Sequence, residues 1–136
     1  FNDSPLHTGF VSNEIGAASA LKMTFSAFTK GSTALLSAIL AVAEKEGVRD
    51  HLQTQWGENF TRQTQQRVIN NSAKAWRFEG EMREIAATFE DAGLPPGFFE
   101  SATDVYARLG GYKDWQEAPG IDDLLNSLLG KDANDS

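Results

Sequence analysis

No cysteine occurs among the 136 residues, which excludes a disulfide framework and any thiolate metal site. Histidine is nearly absent too. Neither His7 nor His51 has a carboxylate or a second histidine at ligand spacing, so no zinc site is expected. Basic residues number 12 against 19 acidic ones, giving a net charge of -7, and they are scattered rather than clustered. Nucleic acid is therefore not the expected partner. Long apolar runs are missing as well. The longest, Ala34 to Ala43, is interrupted by Ser37 and falls short of the roughly 20 residues that span a bilayer. A cytoplasmic protein with no membrane partner is the expectation. Two glycosylation-type triplets, at Asn59 and Asn70, have nothing else to support secretion.

The chain does contain enough apolar residues, 40%, to build one core, and its length fits one domain. No segment reads as a strand, and the expected fold class is all-α, a helical bundle around one long helix. Ser12 or Asn13 can cap that helix, which runs to about Glu46 before Gly47 offers a left-handed exit. Further helical segments are expected over His51–Trp56, over Glu58–Ala92 with a break near Asn70 to Ser72, over Phe98–Leu109, where Phe98, Ala102, Val105 and Leu109 recur at helical intervals, and over Ile121–Leu129. Trp76, Ile85 and Phe89 are expected core anchors. Tyr112 to Pro119 reads as loop, and the acidic C-terminal end, Asp122, Asp123, Asp132 and Asp135, as solvated.

Stepping about 100° per residue divides the long helix into three faces. Leu21, Phe25, Phe28, Leu35, Ile39 and Val42 share a bulky apolar arc, expected to be buried. Beside it run Ala20, Ala27, Gly31, Ala34 and Ala38, small enough to let another backbone approach. Lys22, Ser26, Thr29 and Thr33 make a third, polar stripe, which can line a cleft if the other two faces are buried. A lysine among Ala17, Ala18, Ala20 and Leu21 is expected to be desolvated, which lowers the pKa of an ammonium and makes it a candidate for proton transfer. The plain alternative is that Lys22 snorkels to water. Lys30 lies roughly 80° around the helix from Lys22 and about 12 Å along it. It could attract an anion or serve as an exposed or interface charge. Thr29 could contact a ligand or bond its own preceding turn. Most of the charged run from Arg77 to Glu84 is expected to be a solvated face, with Glu79 paired to Arg83.

The stretch from Gly16 to Ser26, with the wording ASALKM, TKGSTALL, AVAEKEGV and EMREIAATFEDAGLP further on, resembles the helical C-terminal domain of the 6-phosphogluconate and 3-hydroxyisobutyrate dehydrogenase superfamily, in its NAD-binding 6-phosphogluconate-dehydrogenase-like branch. Gly16, Ala18 and Lys22 match the family's spacing; Ser26 departs from it, standing where the family carries an asparagine. The resemblance implies an oxidoreductase acting on a hydroxy acid or related alcohol. Lys22 would be the acid-base residue, with Gly16, Ala18, Ser26 and Thr29 at a small, anionic substrate. It further implies NAD or NADP bound mainly by a Rossmann domain upstream of Phe1, and a homodimer. On this reading residues 1–12 are a linker, 13–129 the helical domain and 130–136 a disordered tail, and the piece alone is inactive. A dinucleotide site needs a strand, a glycine-rich turn and a helix N-terminus, and Gly110-Gly111 follows a helix instead. The alternatives are a non-catalytic helical interaction or dimerisation module, and an imine-reductase-like domain; Lys22 speaks against the second.

Overall fold

The computed structural model describes residues 11–131, with side chains from residue 15 onward. The expected caps Ser12 and Asn13 stand inside α1, which already includes Val11, so neither is its N-cap; His7, most of the linker and residues 132–136 lie outside the described residues. Six α-helices follow one another without a strand among the described residues: α1 (Val11–Lys45), α2 (Arg49–Trp56), α3 (Glu58–Ser72), α4 (Ala75–Asp91), α5 (Gly97–Arg108) and α6 (Ile121–Leu128). A 3-10 turn, Gly110–Tyr112, joins the last two. The all-α bundle around one long helix is what the periodicity predicts.

Glycine sets the main boundaries. Gly47 has φ +74°, and behind it Val48 N–H donates to Ala43 O at 2.9 Å while Gly47 N–H donates to Glu44 O at 3.1 Å. These two bonds satisfy carbonyls that the end of α1 would otherwise leave open. The same pair recurs at Gly93 (φ +84°), where Leu94 bonds Phe89 O and Gly93 bonds Glu90 O, and Pro95 and Pro96 then prevent α4 from continuing. The break expected near Asn70 to Ser72 falls at Ala73 and Lys74.

α4 and α5 form an antiparallel pair, with Phe78 edge-on to Tyr106 at one end and Phe89 against Phe99 at the other, ring centroids 5.5 and 4.7 Å apart. α1 crosses this pair and also meets α3 and α6, so that Leu40, Val68, Met82, Tyr106, Leu109, Leu124 and Leu125 close into one core. The acidic end is less free than its charge implies. Asp122 pairs with Arg49 at 2.6 Å, and Asp123 accepts the Gly120 N–H at 3.1 Å to start α6.

Several expectations about faces fail. Of the three anchors, Ile85 is buried and Phe89 partly so, but Trp76 is 46% exposed and carries Lys113 over its ring. On α5 Phe98 points out and Phe99 points in. Tyr112 is buried, its hydroxyl 2.6 Å from Ser127 Oγ. Most of all, the bulky arc of α1 is bare: Leu21, Phe25, Phe28, Leu35 and Val42 are each more than 60% exposed. The bundle packs instead on the small and polar side, through Ala27, Thr33, Ala34, Ser37 and Leu40. Small residues admit the neighbouring helices closely, and the buried hydroxyls are satisfied within α1, Thr33 to Thr29 O at 2.8 Å and Ser37 to Thr33 O at 2.7 Å. Taken by length and composition alone, Ile15–Lys45 is long and apolar enough to cross a membrane, which the shorter run Ala34 to Ala43 did not indicate.

Candidate active site at the projecting end of α1

Lys22 is exposed, as are Gly16, Ala17, Ala18, Ala20 and Leu21 around it. Among the described residues these neighbours do not supply the expected desolvation, because the first turns of α1 extend past the helices that cover its remainder. Direction is informative all the same. Eighteen residues make five full turns, so Lys22 lies on the same line as Leu40 and close to that of Thr33, both of which face the core. Lys22 thus continues the inward stripe beyond the bundle's edge.

One turn on, Ser26 is half-buried. Its Oγ lies 3.5 Å from Lys30 Nζ, which donates to it, and the same ammonium is 2.8 Å from Glu81 Oε1 on α4. Lys30 also lies over the Phe78 ring, 4.6 Å from its centroid. Lys30 is therefore a paired, half-buried cation and not the exposed or anion-attracting charge expected. Glu81 was hidden among the charged residues of α4. Its neighbours Glu79 and Arg83 do pair along the helix as predicted, at 3.1 Å. The signal that separates Glu81 from them is its position one residue before buried Met82, on the flank of the inward face.

Thr29 is half-buried and donates its hydroxyl to Phe25 O at 3.1 Å, the local bond that threonine in a helix commonly makes. Its carbonyl accepts from Arg67 Nη2 at 3.1 Å, and that guanidinium also reaches Ser32 Oγ at 2.6 Å. Next to it the Lys30 carbonyl accepts the Tyr106 hydroxyl at 2.6 Å, and Asn71 donates to the same hydroxyl at 3.2 Å. Burial pushes the Tyr106 phenol up to about 12, only partly opposed by the bond from Asn71. It is a neutral structural donor, not an acid-base group. Three elements thus hold the middle of α1 from Ser26 to Thr33, while Lys22 stands one turn above on a stretch of helix that no other described element covers.

His51 is exposed on α2, and among the described residues no three metal-ligating side chains come together. The structure brings Ser26 and Lys30 together and leaves Lys22, Gly16 and Ala18 in the open.

The family model described as "Domain of unknown function (DUF1932)" matches residues 43–109, from the last turn of α1 through α5. This domain lies C-terminal to NAD-binding dehydrogenase domains in 3-hydroxyisobutyrate dehydrogenase-like proteins. The match covers just under half of the chain and begins beyond Lys22, Ser26 and Thr29. No curated protein and no solved structure matches.

Proposed function

We propose that this chain is the C-terminal catalytic and dimerisation domain of an NAD(P)-dependent oxidoreductase of the β-hydroxyacid dehydrogenase type, related to the 6-phosphogluconate-dehydrogenase-like branch. It acts on a small, anionic hydroxy acid or related alcohol, in the cytoplasm, and works with an N-terminal Rossmann domain and a second copy of itself. Lys22 Nζ accepts the proton of the substrate hydroxyl and returns it in the reverse direction. Ser26, whose Oγ already accepts from Lys30, keeps its own O–H free to donate to the substrate.

The observation that carries the reading is the line shared by Lys22 and Leu40. A base on the inward stripe, but past the bundle's edge, is positioned to face a body seated on top of the bundle. A covering domain would supply the low-dielectric surroundings that a lysine base requires and that the described residues do not provide. The described residues form no cradle for a dinucleotide, since they include no strand leading into a glycine-rich turn. The hydride half of the reaction is therefore assigned to the other domain. This chain supplies the proton half.

The decisive experiment is Lys22→Ala in the full-length protein. Hydride transfer should fall by about 10²- to 10⁴-fold, the contribution of a general acid-base group, with cofactor binding retained. A variant that binds cofactor and keeps its rate overturns the assignment. The bare apolar arc of α1 favours a second reading, an interaction module in which Lys22 has no chemical role. That reading requires Lys22→Ala to be silent.

A further inference from the structure

The bulky arc of α1 carries no charge from Leu21 to Val42, a length of about 30 Å at 1.5 Å per residue. Six large side chains project from it, Leu21, Phe25, Phe28, Leu35, Ile39 and Val42, between 37% and 72% exposed, and Phe98 of α5 stands beside them at 75%. With an aromatic side chain presenting roughly 150–250 Å² and an aliphatic one somewhat less, the seven leave on the order of 800 Å² of apolar surface bare. That exceeds the roughly 300–600 Å² of the largest patch on a typical monomer and equals what each partner contributes to a standard interface, about 800 Å².

The spacing along the arc identifies the occupant. Turned end for end about Ser32, the stripe falls on itself: Phe28 meets Leu35, Phe25 meets Ile39 and Leu21 meets Val42, each to within one residue. Ser32, a small residue on the same arc, sits at the crossing point, its hydroxyl held from one side by the Arg67 guanidinium of α3 at 2.6 Å. A groove of about 840 Å³ runs alongside, floored by Gly31, Ala34, Ala38 and Ala102 and flanked by Phe28, Leu35 and Phe98. Knobs and hole thus lie on one patch, as a two-fold interface requires.

We infer that a second copy of this chain docks on the bulky face of α1, antiparallel to it, with the two-fold axis at Ser32. The dimer itself belongs to the function proposed above; its face and register are the new element, and neither depends on the chemistry of Lys22. The interface is centred on the bulky arc, with the groove over Gly31 and Ala38 at its edge, while Ala27 and Ala34 of the small-residue stripe are buried by this chain's own helices. In this register the C-terminal half of the partner's α1 reaches the level of Leu21, covering one side of the turn that carries Lys22.

The absence of cysteine makes the register directly readable by single-cysteine variants of the 136-residue chain. Ser32→Cys should form a disulfide-linked dimer on mild oxidation. Mixed Phe28→Cys and Leu35→Cys chains should link to each other at least about tenfold faster than either links to itself, since bridging needs Cα atoms within about 7 Å. Phe28→Glu should weaken association by about 100-fold in sedimentation, as expected for a central anchor, with helicity unchanged by circular dichroism. A monomer at micromolar concentration, whether or not it binds lipid vesicles, overturns both the dimer and its register. A dimer in which Leu21→Cys or Val42→Cys links fastest to itself, or one indifferent to Phe28→Glu, overturns the register alone.

Discussion

Lys30 Nζ and Glu81 Oε1 are 2.8 Å apart, tying the middle of α1 to α4 at the foot of the projecting turn that bears Lys22. Both side chains keep a quarter to a third of their surface in water, so the attraction is screened. A double-mutant cycle on Lys30→Met and Glu81→Gln should return a coupling of about 1 kcal/mol or less. Urea denaturation at low and high salt checks it, and the coupling should shrink as salt rises.

Gly31 is fixed by its neighbour. A Cβ there would stand 2.8 Å from Phe99 Cε1, and that ring is itself packed on Phe89. Gly31→Ala gains helix propensity worth about 1 kcal/mol but crowds the ring, which costs about 1–3 kcal/mol. A net loss of about 1 kcal/mol in thermal or chemical unfolding is expected. In a Phe99→Leu background the same substitution should become neutral or stabilising.

Tyr106 gives the fold a weakness to alkali. Its phenol is held at about 12 in the folded chain, against 10.0 ordinarily, chiefly because burial disfavours the phenolate. The folded state therefore holds this proton more tightly than the unfolded chain does. The resulting stability, a few kcal/mol, is complete below pH 10 and lost as pH rises through 12. Unfolding followed across that window should show the loss in the wild type and its absence in Tyr106→Phe. That variant should itself be less stable at neutral pH by about 1–2 kcal/mol, having lost the bond to the Lys30 carbonyl.

Lys22 should matter little to folding. It is exposed and paired with nothing described, so Lys22→Ala should shift the unfolding free energy of the 136-residue chain by no more than about 0.5 kcal/mol. Leu40, on the same line of α1 but fully buried, should cost about 2–5 kcal/mol when cut to alanine. The contrast separates a structural position from a chemical one on a single stripe.

The helices and their ends were legible because glycine and proline act locally: Gly47, Gly57 and Gly93 each end a helix where the sequence indicates. The division of α1 into three faces was legible because side chains one helical turn apart share a face. Which face would meet this chain's own core was not. Periodicity shows that Phe25, Phe28 and Leu35 belong together, but not whether their partner lies in the same chain, and here the bundle chose alanine, threonine and serine instead. Phe98 and Phe99 illustrate this at one residue's resolution. Helical spacing from Phe98 to Leu109 is nearly as good as from Phe99, but it is the Phe99 ring that lies against Gly31 and packs on Phe89. The partners of Lys30 were likewise out of reach, since Glu81 is 51 residues away in sequence.

The uneven coverage of α1 turns one helix into a gauge. Around Leu40 its amides are shut in by the core and should exchange hydrogen only when the whole domain opens, whereas from Ile15 to Phe25 only the helix's own bonds protect them. A deuterium-labelling series should trace a steep gradient along a single continuous helix. A domain that settles on the exposed turns should register as slowed exchange at those amides first, whereas a second copy on the bulky arc should slow it from Leu21 onward, locating the contact without any substitution in the protein.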